Sequence, residues 1–197
     1  MARKKDKREI ILMSAADLFA KNGFHETNIT DIAHSAEIGK GTVYEYFSSK
    51  DELYIEVVKF NIERYLTRIR TSILSYDHFE GKLAAFIEHH SEIVHENMRA
   101  TGMMIDNPNQ FKIPNGMHEA LKLLMAARFE VIQIILDILE LGQSEGKFKS
   151  DNLAYYSDLF FDMLSRTAMR KHIFKLDETT FNNEKDLLVQ MLVKGIS

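Results

Sequence analysis

The chain has 197 residues, 45% hydrophobic and 27% charged, enough to bury a sizeable core as one or two compact domains. It contains no cysteine, which excludes a disulfide framework, a thiolate metal site and a cysteine nucleophile and suits a reducing cytoplasm. Neither the charged N-terminus nor the greasiest run, Val131 to Leu139 with Gln133 and Asp137 inside it, suits a signal peptide or a membrane span.

The formal net charge of -4 is unevenly spread: residues 1–50 carry eight Lys/Arg against seven Asp/Glu, and the remainder 17 against 22. Arg3, Lys4, Lys5, Lys7 and Arg8 crowd into the first eight positions. Such a tail suits an anionic polymer, and taken alone it equally suits a solvated, frayed terminus.

The first helix is marked by Ile11, Ala15 and Phe19, with Leu12 and Ala16, at helical spacing. Asn22-Gly23-Phe24 reads as its stop, with Gly23 left-handed and Phe24 folded back on Phe19. A second helix of about two turns begins at Asn28, a good N-cap, and buries Ile29, Ile32, Ala33 and Ala36. After a tight turn a third follows, with Gly39 as its N-cap and Ile38 stapled to Val43. Val43 and Phe47 face inward, which leaves Lys40, Thr42, Tyr44 and Tyr46 with no core to enter. Gly41 keeps that turn thin for a close approach to phosphate, and the helix as a whole suits a major groove. Ser49 and Glu52 then form a capping box for a fourth helix, with Lys50 in its first turn.

Phe19, Gly23, Phe24 and the run TNITDIAHSAEIGKGTVYEYFSSKDEL, within a match of roughly residues 8–55, strongly resemble the DNA-binding segment of the tetracycline-repressor (TetR) family of bacterial transcription regulators. Two positions depart from the family's habit: Glu37 stands where the turn commonly has glycine, and Gly39 where the recognition helix commonly has a serine or threonine cap. A left-handed Glu37 costs on the order of 1 kcal/mol, and the lost hydroxyl cap a few tenths. The resemblance implies an all-α fold in which a three-helix helix-turn-helix domain is joined by a long helix to a helical ligand-binding and dimerisation domain. It places the DNA-binding domain at residues 5–66, the helix-turn-helix at 28–47 and the second domain at 67–197. Carried over residue by residue, it makes Thr27, Asn28, Gly39, Lys40, Gly41, Thr42, Tyr44, Tyr46 and Lys50 the DNA-contacting set. The partners implied are double-stranded operator DNA, a small and largely apolar effector, and a second copy docked through the last two helices, with no membrane, no cofactor and a cytoplasmic location.

Beyond residue 50 the pattern predicts five long helices. Asp51 to Leu74 carries Leu53, Val57, Val58, Ile62, Leu66, Ile69 and Ile73 at helical spacing, a strut between the domains. Phe79 to Met98 turns Leu83, Phe86, Ile87, Val94 and Met98 inward, with His90 on the same face. The segment IDNPNQFKIPN is a loop, and a central helix runs from about Gly116 to Leu141. Asn152 to Arg170 and Glu184 to Ile196 complete the chain. The last two carry apolar residues on more than one face, Leu153, Tyr156, Phe160, Met163 and Thr167 on one and Leu187, Leu188, Met191, Leu192 and Ile196 on the other. Such a pair suits a two-fold four-helix interface, or a wholly intramolecular core.

Phe86, His90, Met103, Met125, Phe129, Phe160 and Met163 are candidate ligand-lining residues, although most Met and Phe of the region also suit plain core. His90 is either a polar ligand contact or a histidine satisfied by a neighbour. Glu88, Glu92 and His95 share a helix face, an arrangement commoner for a solvated face than for a metal site, and no metal is assigned. No glycine-rich phosphate loop or zinc-binding His-Glu-x-x-His pattern is present, which argues against an enzyme. The rival class is a helical ligand-binding or scaffold protein whose N-terminal module mediates protein contacts.

Overall fold

The computed structural model describes residues 6–100 and 117–195. Eight α-helices account for its regular structure: α1 Lys7–Glu26, α2 Ile29–Ser35, α3 Lys40–Tyr46, α4 Lys50–Ile73, α5 Phe79–Ala100, α6 Met117–Ser144, α7 Leu153–Ile173 and α8 Glu178–Gly195. The all-α architecture is that expected from the sequence. None of the described helices is long and apolar enough to cross a membrane. The contacts divide the chain into a first unit, Met1–Glu63 with Glu96–Met125, and a second, Arg64–His95 with Ala126–Ser197.

The first unit closes around the apolar stripes of four short or partial helices. Ile11, Leu12, Ala15 and Phe19 of α1 meet Ile29, Ile32 and Ala33 of α2, Val43 of α3, Phe47 after it, and Leu53, Tyr54 and Val57 of α4. Ala120 from the start of α6 joins this cluster. Gly23 breaks the helical path of α1 where a stop is expected: its φ of 81° and ψ of 162° are non-helical, in an extended, glycine-favouring region instead of the left-handed helical one. Phe24 still returns to Phe19, with ring centroids 5.6 Å apart, and Tyr54 closes the group edge-on at 5.1 Å from Phe24.

In the second unit the buried residues are Leu66 and Ile69 of α4, Phe79, Leu83 and Phe86 of α5, Val131, Ile135, Ile138 and Leu139 of α6, and Phe160, Leu164 and Ala168 of α7. Gly142 has a packing reason, since a Cβ there would lie 2.7 Å from the Phe79 ring. Helix α8 begins at Glu178, six residues before the expected start, because Asp177 accepts from the Thr180 amide at 2.9 Å and so caps it. On α8, Leu188 and Leu192 are buried whereas Leu187 and Met191 are exposed. Met103, Met104, Phe111 and Ile196, the loop at 105–115 and the tail residues Arg3, Lys4 and Lys5 lie outside the described residues, as do the side chains of Val94, His95 and Met98 in α5.

Candidate functional site

The helix-turn-helix is assembled by local chemistry. The Asn28 side chain accepts from the Asp31 amide at 2.9 Å and starts α2. At the other end the Ala36 amide donates to the Ile32 carbonyl at 2.9 Å, and the Ile38 amide to the Ala33 carbonyl at 3.0 Å. Glu37 takes φ 56°, the left-handed conformation expected of a residue in a position that favours glycine. Gly39 caps α3 with an extended φ of -71° and ψ of 144° and offers no side-chain hydrogen bond to it.

Val43 and Phe47 fasten α3 to the core, both almost wholly buried, and Ile38 packs beside them. With the inward face fixed, the rest of the helix is left to solvent. Gly39, Lys40, Gly41, Tyr44, Glu45 and Tyr46 are exposed and Thr42 is half-buried. Tyr44 is 48% exposed and Tyr46 39%, large apolar surface that a core would normally claim. A Cβ built on Gly41 meets nothing within 4 Å, so nothing in the protein's own described packing requires glycine there. The turn of about 100° per residue sets Gly41 and Glu45 opposite the two anchors. Glu45 was missed in the sequence although this periodicity marks it, and its carboxylate can accept a hydrogen bond from a cytosine amino group.

Two members of the sequence-derived set do not join this surface. Thr27 is fully buried, and its hydroxyl donates toward the Gly23 carbonyl at 2.8 Å and the Leu18 carbonyl at 3.1 Å. Lys50 turns its ammonium onto the carbonyls closing α1: Phe24 at 2.9 Å, Thr27 at 3.0 Å and His25 at 3.4 Å, with the Phe24 ring 4.4 Å away. The negative end of the helix dipole holds the cation there. Arg8, counted with the basic tail, is likewise held within the unit, paired with Glu56 and placed over the Phe47 ring at 5.6 Å. The capping box at α4 is only half as expected. The Glu52 amide donates to Ser49 Oγ at 3.1 Å, but the Glu52 carboxylate accepts from the Ser48 amide at 2.6 Å. The Ser48 hydroxyl, and after it that amide, hold the carboxyl below its usual range by donating to it.

The second unit holds a different kind of centre. His90 of α5 is buried, with Nδ1 2.6 Å from the Tyr65 hydroxyl of α4 and Nε2 3.0 Å from Ser165 Oγ of α7. Its ring stacks on Phe86 at 5.5 Å and meets the edge of Phe161 at 5.5 Å. Burial pushes the imidazole down to about 3 and the Tyr65 hydroxyl up. At neutral pH the ring is therefore uncharged, with one nitrogen donating and the other accepting. Of the other candidates for a ligand pocket, Phe86 and Phe160 are fully buried and Met163 half-buried. Met125 and Phe129 are not enclosed: one α6 turn apart, they are 63% and 70% exposed. A separate open groove of about 530 Å³ between α5 and α8, lined by Leu83, Ile87, Val189 and Gln190, contains none of the seven. Glu92 pairs with Arg68 at 3.3 Å, and no metal-holding group of acids and histidines occurs among the described residues.

A tight helix-turn-helix with an outward-facing second helix has the geometry of the helix-turn-helix DNA-binding modules. Residues 11–57 match the family described as bacterial regulatory proteins, tetR family. The chain is 29% identical over 94 residues to the fatty acid metabolism regulator protein of Bacillus subtilis (strain 168), a stretch covering 48% of each chain. It thus spans about half the length of that relative. Over 148 residues it is 26% identical to the transcriptional repressor KstR2 of Rhodococcus jostii, covering 75% of this chain and 71% of the other. The fold is that of the transcriptional regulator FadR from Bacillus subtilis, solved in complex with stearoyl-CoA, with a TM-score of 0.68 and 22% identity over 96% of this chain and 99% of that one. Residues 11–57 thus carry the segment that marks the tetR family of bacterial regulatory proteins.

Proposed function

We propose that the protein is a homodimeric cytoplasmic repressor that holds a palindromic operator through its two α3 surfaces and releases it when a small, largely apolar molecule enters the second unit. The DNA-binding module is assigned to residues 5–66 and effector binding and dimerisation to 67–197. The observation that carries this reading is the outward surface of α3, with Lys40, Gly41, Thr42, Tyr44 and Tyr46 displayed around two buried anchors. Lys40 supplies charge for phosphate, the tyrosines supply hydroxyl donors on stiff arms, and Gly41 lets the backbone come close. Asn28 and Gly39 set where that surface starts.

The effector is assigned to the surroundings of His90. A neutral imidazole among Phe86, Phe161 and Tyr65 offers an apolar wall with one polar point, the usual make-up of a small-molecule site. Next to it Ser91 buries a hydroxyl that has no hydrogen-bond partner among the described residues, a deficit that a bound polar group would relieve. The stearoyl-CoA bound by the Bacillus subtilis regulator supports an acyl-type molecule as the first class to try. Since α4 carries both Lys50 and Tyr65, a ligand that displaces Tyr65 moves the helix on which the DNA-binding module rests. Only a ligand with unequal affinity for the two states shifts them.

The test is fluorescence anisotropy on the duplex upstream of the chain's own gene, with and without long-chain acyl-CoA. Salt-sensitive binding that the acyl-CoA abolishes is expected. Absence of any salt-sensitive DNA binding would move the protein to the rival class of helical binding or scaffold proteins.

A further inference from the structure

Glu45 is a carboxylate that neither its own helix nor a duplex of arbitrary sequence favours. It lies in the last turn of α3, where the negative end of the helix dipole repels an acid. It is exposed and has no hydrogen-bond or ion-pair partner among the described residues. Residues 28–47 carry three acids, Asp31, Glu37 and Glu45, against one lysine, Lys40, a poor balance for meeting phosphates. Asp31 has a local use, since it stands in the first turn of α2 where the dipole favours it, and Glu37 forms the turn. Glu45 has no such use within the fold.

Its position points outward instead. At about 100° per residue, Glu45 falls directly opposite the midpoint of the buried anchors Val43 and Phe47, farther from the core than any other residue of α3. Gly41, one turn earlier and about 40° from the same line, has no side chain to stand beside it. A helix laid in the major groove turns this line toward the base edges. There a carboxylate gives up water between two rows of phosphates, a loss that only hydrogen-bond donors offset. Guanine and thymine present no donor on that side, and adenine sets its N7 acceptor beside its N6 amino group. Cytosine presents its N4 amino group and no acceptor of its own.

We propose that Glu45 accepts a hydrogen bond from the N4 amino group of cytosine at one position in each operator half-site and rejects the other three bases there. The inference rests on the DNA-binding reading and adds the residue that selects a base and the base it selects. A carboxylate placed in this way lowers affinity for every duplex and is compensated by one base alone, so it acts for discrimination rather than for affinity.

The test is selection of binding sites from a randomised duplex library by the full-length wild type, E45A and E45Q, with a thermal melt of each. The wild type should enrich a two-fold symmetric site with cytosine fixed at one position of each half. E45A should keep the rest of that site and lose about tenfold or more of the preference at this position. It should also bind a mixed-sequence duplex several-fold more tightly than the wild type, because a like charge facing the phosphates is gone. E45Q should move the preference to adenine, whose N6 and N7 a glutamine meets together. Both variants should melt no lower than the wild type. An E45A site identical to that of the wild type at every position would overturn the assignment while leaving DNA binding intact. A wild type that binds in a salt-sensitive way yet enriches no sequence would overturn it as well, and the absence of any salt-sensitive binding would overturn the DNA-binding reading with it.

Discussion

The two units place their polar chemistry in opposite ways. In the first, Lys40, Tyr44 and Tyr46 stand in solvent while apolar Val43 and Phe47 hold the helix beneath them. In the second, His90, Tyr65 and Ser165 are linked inside an aromatic shell. A group free for an outside partner has no role in the fold, whereas a group satisfied within the fold must be displaced before it serves a ligand. Stability and function should therefore separate in the first unit and remain coupled in the second.

The largest effect on the fold should come from removing an anchor. Phe47→Ala, at a nearly inaccessible site, is expected to cost about 3–5 kcal/mol and to lower the melting midpoint more than any change to an exposed α3 residue. A loss no greater than that of Tyr44→Ala would erase the contrast. His90→Leu comes next. It leaves the Tyr65 and Ser165 hydroxyls without their partner, at roughly 1–3 kcal/mol each, and chemical denaturation of the pair measures it.

The same histidine gives a pH signature. Its folded value is depressed to about 3, below the ordinary value near 6.5, so the unfolded chain binds the proton first. Its contribution to stability is whole above about pH 6.5 and is lost as pH falls toward about 3. The difference in stability between wild type and His90→Gln should shrink across that window, and denaturation midpoints at successive pH values would show it.

Gly41→Ala should leave stability unchanged or raise it by up to about 1 kcal/mol, since nothing described would touch the methyl group, while operator affinity falls because the backbone can no longer approach as closely. Gly39→Ser should add a few tenths of a kcal/mol by supplying the missing cap hydroxyl. On α8, Met191→Glu should weaken the dimer with little change in folding, whereas Leu188→Glu should unfold the chain, because the first is 62% exposed and the second is buried.

Much of the first unit was legible in the sequence because its decisive features are local. Asn28 caps the three residues that follow it, Glu37 sits in a turn whose geometry its neighbours impose, and Val43 and Phe47 are one helical turn apart. What was not legible depends on pairings across the chain. Lys50 looks like a free cation until the end of α1, some 23 to 26 residues earlier, folds beneath it. Thr27 looks like a surface hydroxyl until the bend at Gly23 presents two carbonyls to it. In the second unit, periodicity placed the helices but could not divide Leu187 from Leu188, or enclosed Phe86 from exposed Phe129, because each helix has more than one apolar face. The start of α8 was the exception: Asp177 with Thr180 is a local signal that could have been read.

Whether the exposed surface of α3 binds DNA is decided by a binding titration on a palindromic duplex with half-sites spaced by about 10 base pairs or a multiple. It compares the wild type with the Lys40→Ala/Tyr44→Ala double variant, with thermal melts of both. The wild type should bind with an affinity that falls roughly a thousandfold between about 50 and 200 mM salt, and the double variant should lose at least about tenfold in affinity with its melting midpoint unchanged. Equal binding by the two proteins, or loss of binding only in step with loss of fold, would contradict the account.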